Sequence, residues 1–214
     1  YGMSEESLPH FVYSIWEHSS KAVLFIVEDE LKARKYYESA LGLSGIDIMH
    51  FPRTNINFHD IKPVEFDGDI ERIRVINRLS KGDNFILVAS VESLIKKIST
   101  PKYFRDLSFE ISIDDEVDLE KLEQNLIDLE YQRVERVEGK GEFAIRGGIV
   151  DIYPLDYQNP VRIELFDVEI DSMRTFEVDS QRSVDEMEVV RIAPAREFLS
   201  TKEDKELILK GLKK

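Results

Sequence analysis

Residues 141–176 read GEFAIRGGIVDIYPLDYQNPVRIELFDVEIDSMRTF. Apolar and polar residues alternate in short segments of this stretch, and turn-forming pairs such as Gly147-Gly148 and Asn159-Pro160 separate the segments. Alternation with a period of two is typical of strands that bury one face. The stretch therefore predicts an antiparallel sheet with one buried face and one outer face.

The outer face of this predicted sheet carries an unusual set of side chains. Three apolar residues of the segment VRIELF take the core face, which leaves Arg162, Glu164 and Phe166 on the other. The same alternation assigns Arg146, at the end of EFAIR, to the outer face. A large aromatic ring on a charged face needs something to cover it, and arginine beside such a ring is typical of an interface hot spot. We interpret Arg146, Arg162 and Phe166 as candidates for protein binding.

A purely structural interpretation fits the same residues. Arg146 and Arg162 would then pair with neighbouring carboxylates across the strands, while Phe166 packs under a loop. The two interpretations differ in what Arg162→Ala does. Docking through an exposed arginine predicts lost binding with unchanged thermal stability, whereas a structural role predicts a lower melting temperature with binding retained.

The residues around this stretch extend it to an antiparallel-rich α+β module over residues 106–188. Alternation over 107–113 and 131–137 predicts two further strands, and leucines at helical spacing predict a helix over 117–129. Beyond the module, residues 189–194 predict a strand and residues 201–212 a helix. We expect residues 189–214 to return toward the first domain.

The first half of the chain, residues 1–105, has a different pattern. Apolar runs predict strands over 22–27, 46–51 and 85–89, and helical periodicity predicts helices over 5–18, 30–41, 70–79 and 91–98. The run at 22–27 is continuous, which is typical of a strand buried on both faces. Strands that alternate with helices predict an α/β fold with a doubly wound parallel sheet.

Composition excludes several classes of protein. The 214 residues include no cysteine and no apolar run long enough to span a bilayer, so we expect a cytoplasmic protein with no disulfides and no membrane contact. The chain reads as a piece of a longer protein. The net charge is −14, and residues 106–214 hold 15 basic and 28 acidic residues. This balance argues against nucleic-acid binding, which usually needs a basic face.

No motif in the sequence predicts catalysis or a cofactor. The first strand is followed by Glu28-Asp29-Glu30 in place of a phosphate-binding loop, and these carboxylates would repel a phosphate. The four histidines are too scattered to form a metal site. The acidic cluster at 114–118 precedes a predicted helix, so we interpret Asp115 as its N-cap rather than as a metal ligand.

Three ordered motifs carry a family resemblance: GEFAIRGGIVDIYP, NPVRIELFDVEIDSMRTFEVDSQRS and the trailing IAPAREF. They resemble the N-terminal, UvrB-like region of bacterial transcription-repair coupling factors (the Mfd family). The first half is similar to the preceding domain of that family through VLFIVEDELKARKYYESAL, the Phe51-Pro52 pair and FILVASVESLIKK. Together these segments cover nearly the whole chain.

The resemblance implies a helicase-like α/β domain without ATPase motifs, which is a degenerate NTPase-like domain over 1–105, and an inserted module similar to UvrB domain 2. It implies that the module binds the excision-repair protein UvrA through Arg146, Arg162 and Phe166. RNA polymerase, DNA and ATP would be handled by other domains of the parent chain, with no cofactor in this one.

UvrB itself, a damage-recognition and DNA- or nucleotide-binding protein, is the alternative. It would show a phosphate-binding loop near its start and a long aromatic hairpin, for which residues 53–67 are too short and too poor in tyrosine.

Overall fold

The computed structural model describes residues 4–43, 45–54, 66–95 and 97–199. The chain divides into two compact units, Tyr1–Asp106 and Leu107–Lys214. The helix predicted over 201–212 and most of the segment 53–67 lie outside the described residues.

The first unit is a parallel sheet flanked by helices. A 3₁₀ turn, Glu5–Ser7, leads into the first helix. The strands are β1 (Val23–Val27), β2 (Ile48–Phe51) and β3 (Ile86–Ser90). The helices are α1 (Leu8–Glu17), α2 (Glu30–Ala40), α3 (Phe66–Lys81), α4 (Val91–Leu94) and α5 (Pro101–Leu107).

The three strands lie in the order β1-β3-β2, and both pairings are parallel. The central strand β3 is buried along its whole length, and Ile86 and Val88 pack against Ala33 and Tyr36 of α2 and Val12 of α1. The prediction that the strand at 22–27 is buried on both faces is wrong. β1 lies at the edge of the described sheet, and only one of its faces, that of Val23, Phe25 and Val27, packs against the core. Leu24 and Ile26, on the opposite face, are half exposed.

One helix of the first unit was not predicted. The helix predicted over 91–98 is shorter, since α4 ends at Leu94, and Pro101 begins a further helix, α5. Proline fits the first turn of a helix, since the N–H it lacks would have no partner there. Phe104 of α5 is fully buried.

The second unit is built around a larger sheet. Its elements are β4 (Phe109–Ser112), α6 (Leu119–Asp128), β5 (Gln132–Arg133), β6 (Glu142–Arg146), β7 (Ile149–Ile152), β8 (Val161–Phe166), β9 (Glu169–Phe176), β10 (Ser183–Glu186) and β11 (Val189–Ile192). Six strands lie in the order β10-β9-β8-β7-β6-β5. All neighbours are antiparallel except β5 and β6. The antiparallel strand pairing predicted for this part of the chain is therefore confirmed.

The core of this unit forms on one face of the six-stranded sheet. Leu122 and Leu126 of α6 belong to the same buried cluster as Phe143, Val161 and Ile163. Leu165 packs against that cluster. The face of β8 that the alternation predicted to be buried is confirmed, so the opposite face is available for other roles.

The strand predicted over 189–194 is present as β11, which pairs with β4, so that Ile192 lies opposite Phe109. One local expectation in this unit is wrong. The N-cap of α6 is Asp118, not Asp115: the Asp118 carboxylate accepts hydrogen bonds from the backbone N–H groups of Glu120 and Lys121. Asp115 instead accepts the N–H of Ser112 at 2.6 Å and closes the turn after β4.

The described residues thus combine helices, a parallel sheet and an antiparallel sheet, which agrees with the α/β class. Within those residues, every helix is too short or too polar to cross a membrane, and no cluster of three histidine or acidic side chains is arranged to hold a metal ion.

Candidate functional site

The three candidate residues lie on the outer face of the six-stranded sheet, and strand register fixes their layout. Across β6, β7, β8 and β9, one row of this face holds Ala144, Asp151, Arg162 and Arg174. The next row, two residues along each strand, holds Arg146, Ile149, Glu164 and Ser172. Because strands lie about 4.8 Å apart and residues rise about 3.3 Å, the backbones of Arg146, Arg162 and Phe166 form a triangle with sides of roughly 12–13 Å.

Phe166 is uncovered. It ends β8, and 78% of the residue is exposed. The hairpin that follows turns through Asp167, whose φ of 60° lies in the left-handed region. The expectation that this ring stands outside the core is confirmed, and packing under a loop is excluded.

The two arginines are not free. Arg162 Nε and Nη2 donate to the two oxygens of Asp151 at 2.7 and 2.9 Å, and Arg146 Nη2 donates to Asp151 Oδ2 at 2.6 Å. Arg146 Nη1 also donates to the carbonyl oxygen of Glu135 at 2.8 Å. The arginines are therefore paired with a carboxylate, as the structural interpretation predicts. Phe166 is exposed, as the docking interpretation predicts.

Arg162 is the more enclosed of the two. Its side chain is 16% exposed, against 44% for Arg146. Its guanidinium carbon lies 4.4 Å from the ring centroid of the buried Phe176, and Nη2 also donates to Gln181 Oε1 at 3.0 Å. The hydrogen bonds to Asp151 raise the pKa of Arg162 above its ordinary value. The guanidinium therefore stays positively charged at neutral pH and well above it.

A second ion pair fills the space between Arg162 and Phe166. Arg174 of β9 binds Glu164 through both terminal nitrogens, and Ser172 Oγ donates to Glu164 Oε2 at 3.0 Å. The hydrogen bonds from Arg174 and Ser172 lower the pKa of Glu164. The two rows described above thus hold three arginines and two carboxylates, in a half of the chain that is otherwise strongly acidic.

Residues of this surface that the sequence analysis missed include Asp151, Phe176 and Gln181. Asp151 had a signal. It stands between two inward apolar residues in GGIVDIYP, and a two-residue turn at Gly147-Gly148 places it on the face of Arg146. Gln181 had none, because it reaches Arg162 from a turn 19 residues away.

Comparison with known proteins agrees with this picture. A family model described as the UvrB interaction domain matches residues 109–198. The transcription-repair-coupling factor of Bacillus subtilis (strain 168) is 31% identical over 205 residues, which are 95% of this chain and 17% of that protein. Its counterpart in Staphylococcus aureus (strain MRSA252) is 29% identical over 203 residues, again 17% of the relative's length.

The chain spans 17% of the length of these relatives, and the matched family model is that of an interaction domain rather than a motor. The similarity runs through both units, since it covers 95% of the chain. This chain therefore corresponds to the N-terminal, UvrB-like region of transcription-repair coupling factors.

Proposed function

We propose that this chain is a non-catalytic docking region that binds UvrA through Arg146, Arg162 and Phe166. The observation that carries the proposal is the exposed ring of Phe166 on a face whose arginines are paired with carboxylates. An uncovered phenylalanine stabilises nothing in the free protein, and its burial against a partner removes apolar surface from water. The name of the matched family supports an interaction role.

The arginines supply the polar part of this surface. A guanidinium has five N–H donors. Within the described residues, Arg146 uses two of them and Arg162 uses three. The remaining donors can make charge-assisted hydrogen bonds to carbonyl or carboxylate oxygens of a partner. An exposed aromatic ring on the same face as arginines is typical of a binding hot spot.

In the parent protein, this docking region would recruit UvrA, and with it excision repair, to a stalled RNA polymerase. Contacts with RNA polymerase, DNA and ATP would belong to other domains of the parent chain. We further propose that the first unit, with its three parallel strands, is the degenerate helicase-like domain that the family resemblance implies.

Titration of this chain against purified UvrA, followed by calorimetry, tests the proposal. Phe166→Ala is expected to weaken binding about 30-fold, because truncation of a hot-spot residue costs about 2 kcal/mol or more. Phe198 provides a matched control, since it is another exposed phenylalanine (57%) of the same unit, and Phe198→Ala should bind as the unchanged chain does. Equal affinity of the Phe166→Ala variant would refute the docking surface.

The alternative, a DNA- or nucleotide-binding domain of the UvrB type, is tested with the same material. Filter binding to DNA at low salt and the shift of melting temperature with added ATP are both expected to be negative. A positive signal in either assay would favour the UvrB-type function over a docking role.

A further inference from the structure

Asp151 is a buried charge at the centre of the docking surface. It lies in β7 between Val150 and Ile152, which are fully buried, and is itself only 1% exposed. An ionised carboxylate in such a position is costly unless it is paired and hydrogen-bonded. Its partners are the guanidinium groups of Arg146 and Arg162, which give it three N–H donors.

The carboxylate restricts how both arginines can move. Arg162 is bound at Nε and Nη2, which fixes the plane of its guanidinium. Arg146 is bound at Nη2, and its second nitrogen is held by the carbonyl of Glu135. A free arginine side chain has a large rotamer entropy, which is lost when the side chain is ordered in an interface.

Other groups hold Arg162 from its remaining sides. Phe176 lies under the guanidinium, and Gln181 accepts from Nη2. Gln181 is itself fixed, because its Nε2 donates to the carbonyl of Val178 at 2.8 Å and its N–H to the carbonyl of Glu177. Arg162 therefore presents Nη1, the nitrogen without a partner among the described residues, in one direction.

We propose that Asp151 is a positioning residue for UvrA binding. It is too buried to touch a partner, yet it orients both docking arginines before the partner arrives. The inference rests on the proposed function. It adds a residue that does not itself contact UvrA, together with a reason for the affinity. Because the two arginines are already ordered in the free protein, their rotamer entropy is not lost when UvrA binds.

The test is Asp151→Asn, which keeps the shape of the side chain and removes its charge. We expect the affinity for UvrA to fall at least tenfold while the variant remains folded by circular dichroism. Glu123→Gln is the matched control, since Glu123 also pairs with an arginine, Arg133, but on α6. The control variant should bind UvrA as the unchanged chain does.

A second readout separates positioning from general stability. In the free protein, the ¹H–¹⁵N heteronuclear NOE of Arg162 Nε should be as high as that of the backbone, and Asp151→Asn should lower it toward the value of the exposed Arg133. In a double-mutant cycle, Asp151→Asn and Arg146→Ala should have less than additive effects on binding, because each removes the same contact.

The outcomes are distinguishable. If the unchanged chain fails to bind UvrA, the proposed function is wrong. If the chain binds and a folded Asp151→Asn variant binds equally well, the positioning role is wrong. Should Asp151→Asn not fold, the NOE of Arg162 Nε in the unchanged chain decides: a value as low as that of Arg133 overturns the inference, and a backbone-like value supports it. Gln181→Ala, which removes one acceptor of Arg162, should then weaken binding.

Discussion

Gly148 lies against the backbone of Leu165: a Cβ atom at position 148 would come within 2.8 Å of the Leu165 carbonyl oxygen. The N–H of Leu165 also donates to the carbonyl of Gly148 at 2.8 Å. The turn between β6 and β7 is thereby joined to the residue that precedes Phe166. Arg146, at one end of the turn, and Phe166 are consequently held by the same contact.

Gly148→Ala should therefore disturb both the fold and the docking surface. The added methyl group meets backbone rather than a flexible side chain, so we expect a loss of about 1–3 kcal/mol in the free energy of unfolding and weaker binding of UvrA. Urea denaturation and calorimetry measure the two effects. Gly147 has a φ of +59° and open space around it, so Gly147→Asn is the control; an equal loss there would contradict the role of the contact with Leu165.

Arg162→Ala is expected to lower stability as well as binding. A freely exposed arginine could be removed without a change in thermal stability, but Arg162 is not freely exposed. Its removal leaves the buried Asp151 with only Arg146 among the described residues, and it opens space beside Phe176. Removal of one partner from a buried ion pair costs about 3 kcal/mol. Guanidinium denaturation should show this loss for Arg162→Ala and a smaller one for the more exposed Arg146→Ala. Equal, negligible losses would mean that the pairing contributes nothing.

Glu164→Gln gives a prediction for pH. The pKa of Glu164 is lowered in the folded chain, so the unfolded chain takes up the proton first as pH falls. The carboxylate therefore contributes stability above its ordinary pKa of 4.5, and this contribution disappears as pH falls through the folded pKa. For a pair exposed by about a quarter to a third, we expect up to about 1 kcal/mol at pH 7.

Urea denaturation at pH 7 and pH 3 tests this expectation, with Glu186→Gln as the control. Glu186 is exposed and has no ion pair among the described residues. The difference between the unchanged chain and Glu164→Gln should shrink at pH 3. A difference that persists there would show that the charge of Glu164 is not its source.

Tyr131→Phe tests how β11 is held. The buried hydroxyl of Tyr131 donates to the carbonyl of Ala193 at 3.0 Å, just after β11, and the loss of this bond should cost about 1 kcal/mol. Burial raises the pKa of Tyr131 above the ordinary tyrosine pKa of 10.0. The free energy of unfolding therefore keeps the contribution of this hydroxyl below pH 10 and falls as the pH rises above it, because the unfolded chain loses the proton first. Denaturation at pH 7 and pH 11 should show a smaller loss with pH in Tyr131→Phe. Identical pH dependence would place the hydroxyl in water.

The outer face of β8 was predictable from sequence because a period of two leaves only one arrangement once the core face is known. The turn at Gly147-Gly148 fixed the register of β6 and β7, which in principle also placed Asp151 on the face of Arg146. The pairing of these charges depends on side-chain burial, which alternation does not report. The alternation of apolar and polar residues therefore could not predict whether an arginine on the outer face pairs with a carboxylate.

The errors in the first unit have the same origin. The run at 22–27 is apolar throughout, and such a run does not distinguish a central strand from an edge strand whose second face is uncovered. Pro101 has two meanings, because proline ends one helix and begins another with equal ease. In the second unit, the partner of β11 was not predicted, because β4 lies about 80 residues earlier and no local signal links the two strands.

The pairing of β4 with β11 has an architectural consequence. Ile192 lies opposite Phe109, so the first and last strands of this unit among the described residues lie side by side, about 5 Å apart. A unit closed in this manner can be spliced into a surface loop of a host, replaced by a short linker, or grafted from one homologue to another without stretching the host backbone. The unit can therefore be exchanged between homologous proteins as one piece.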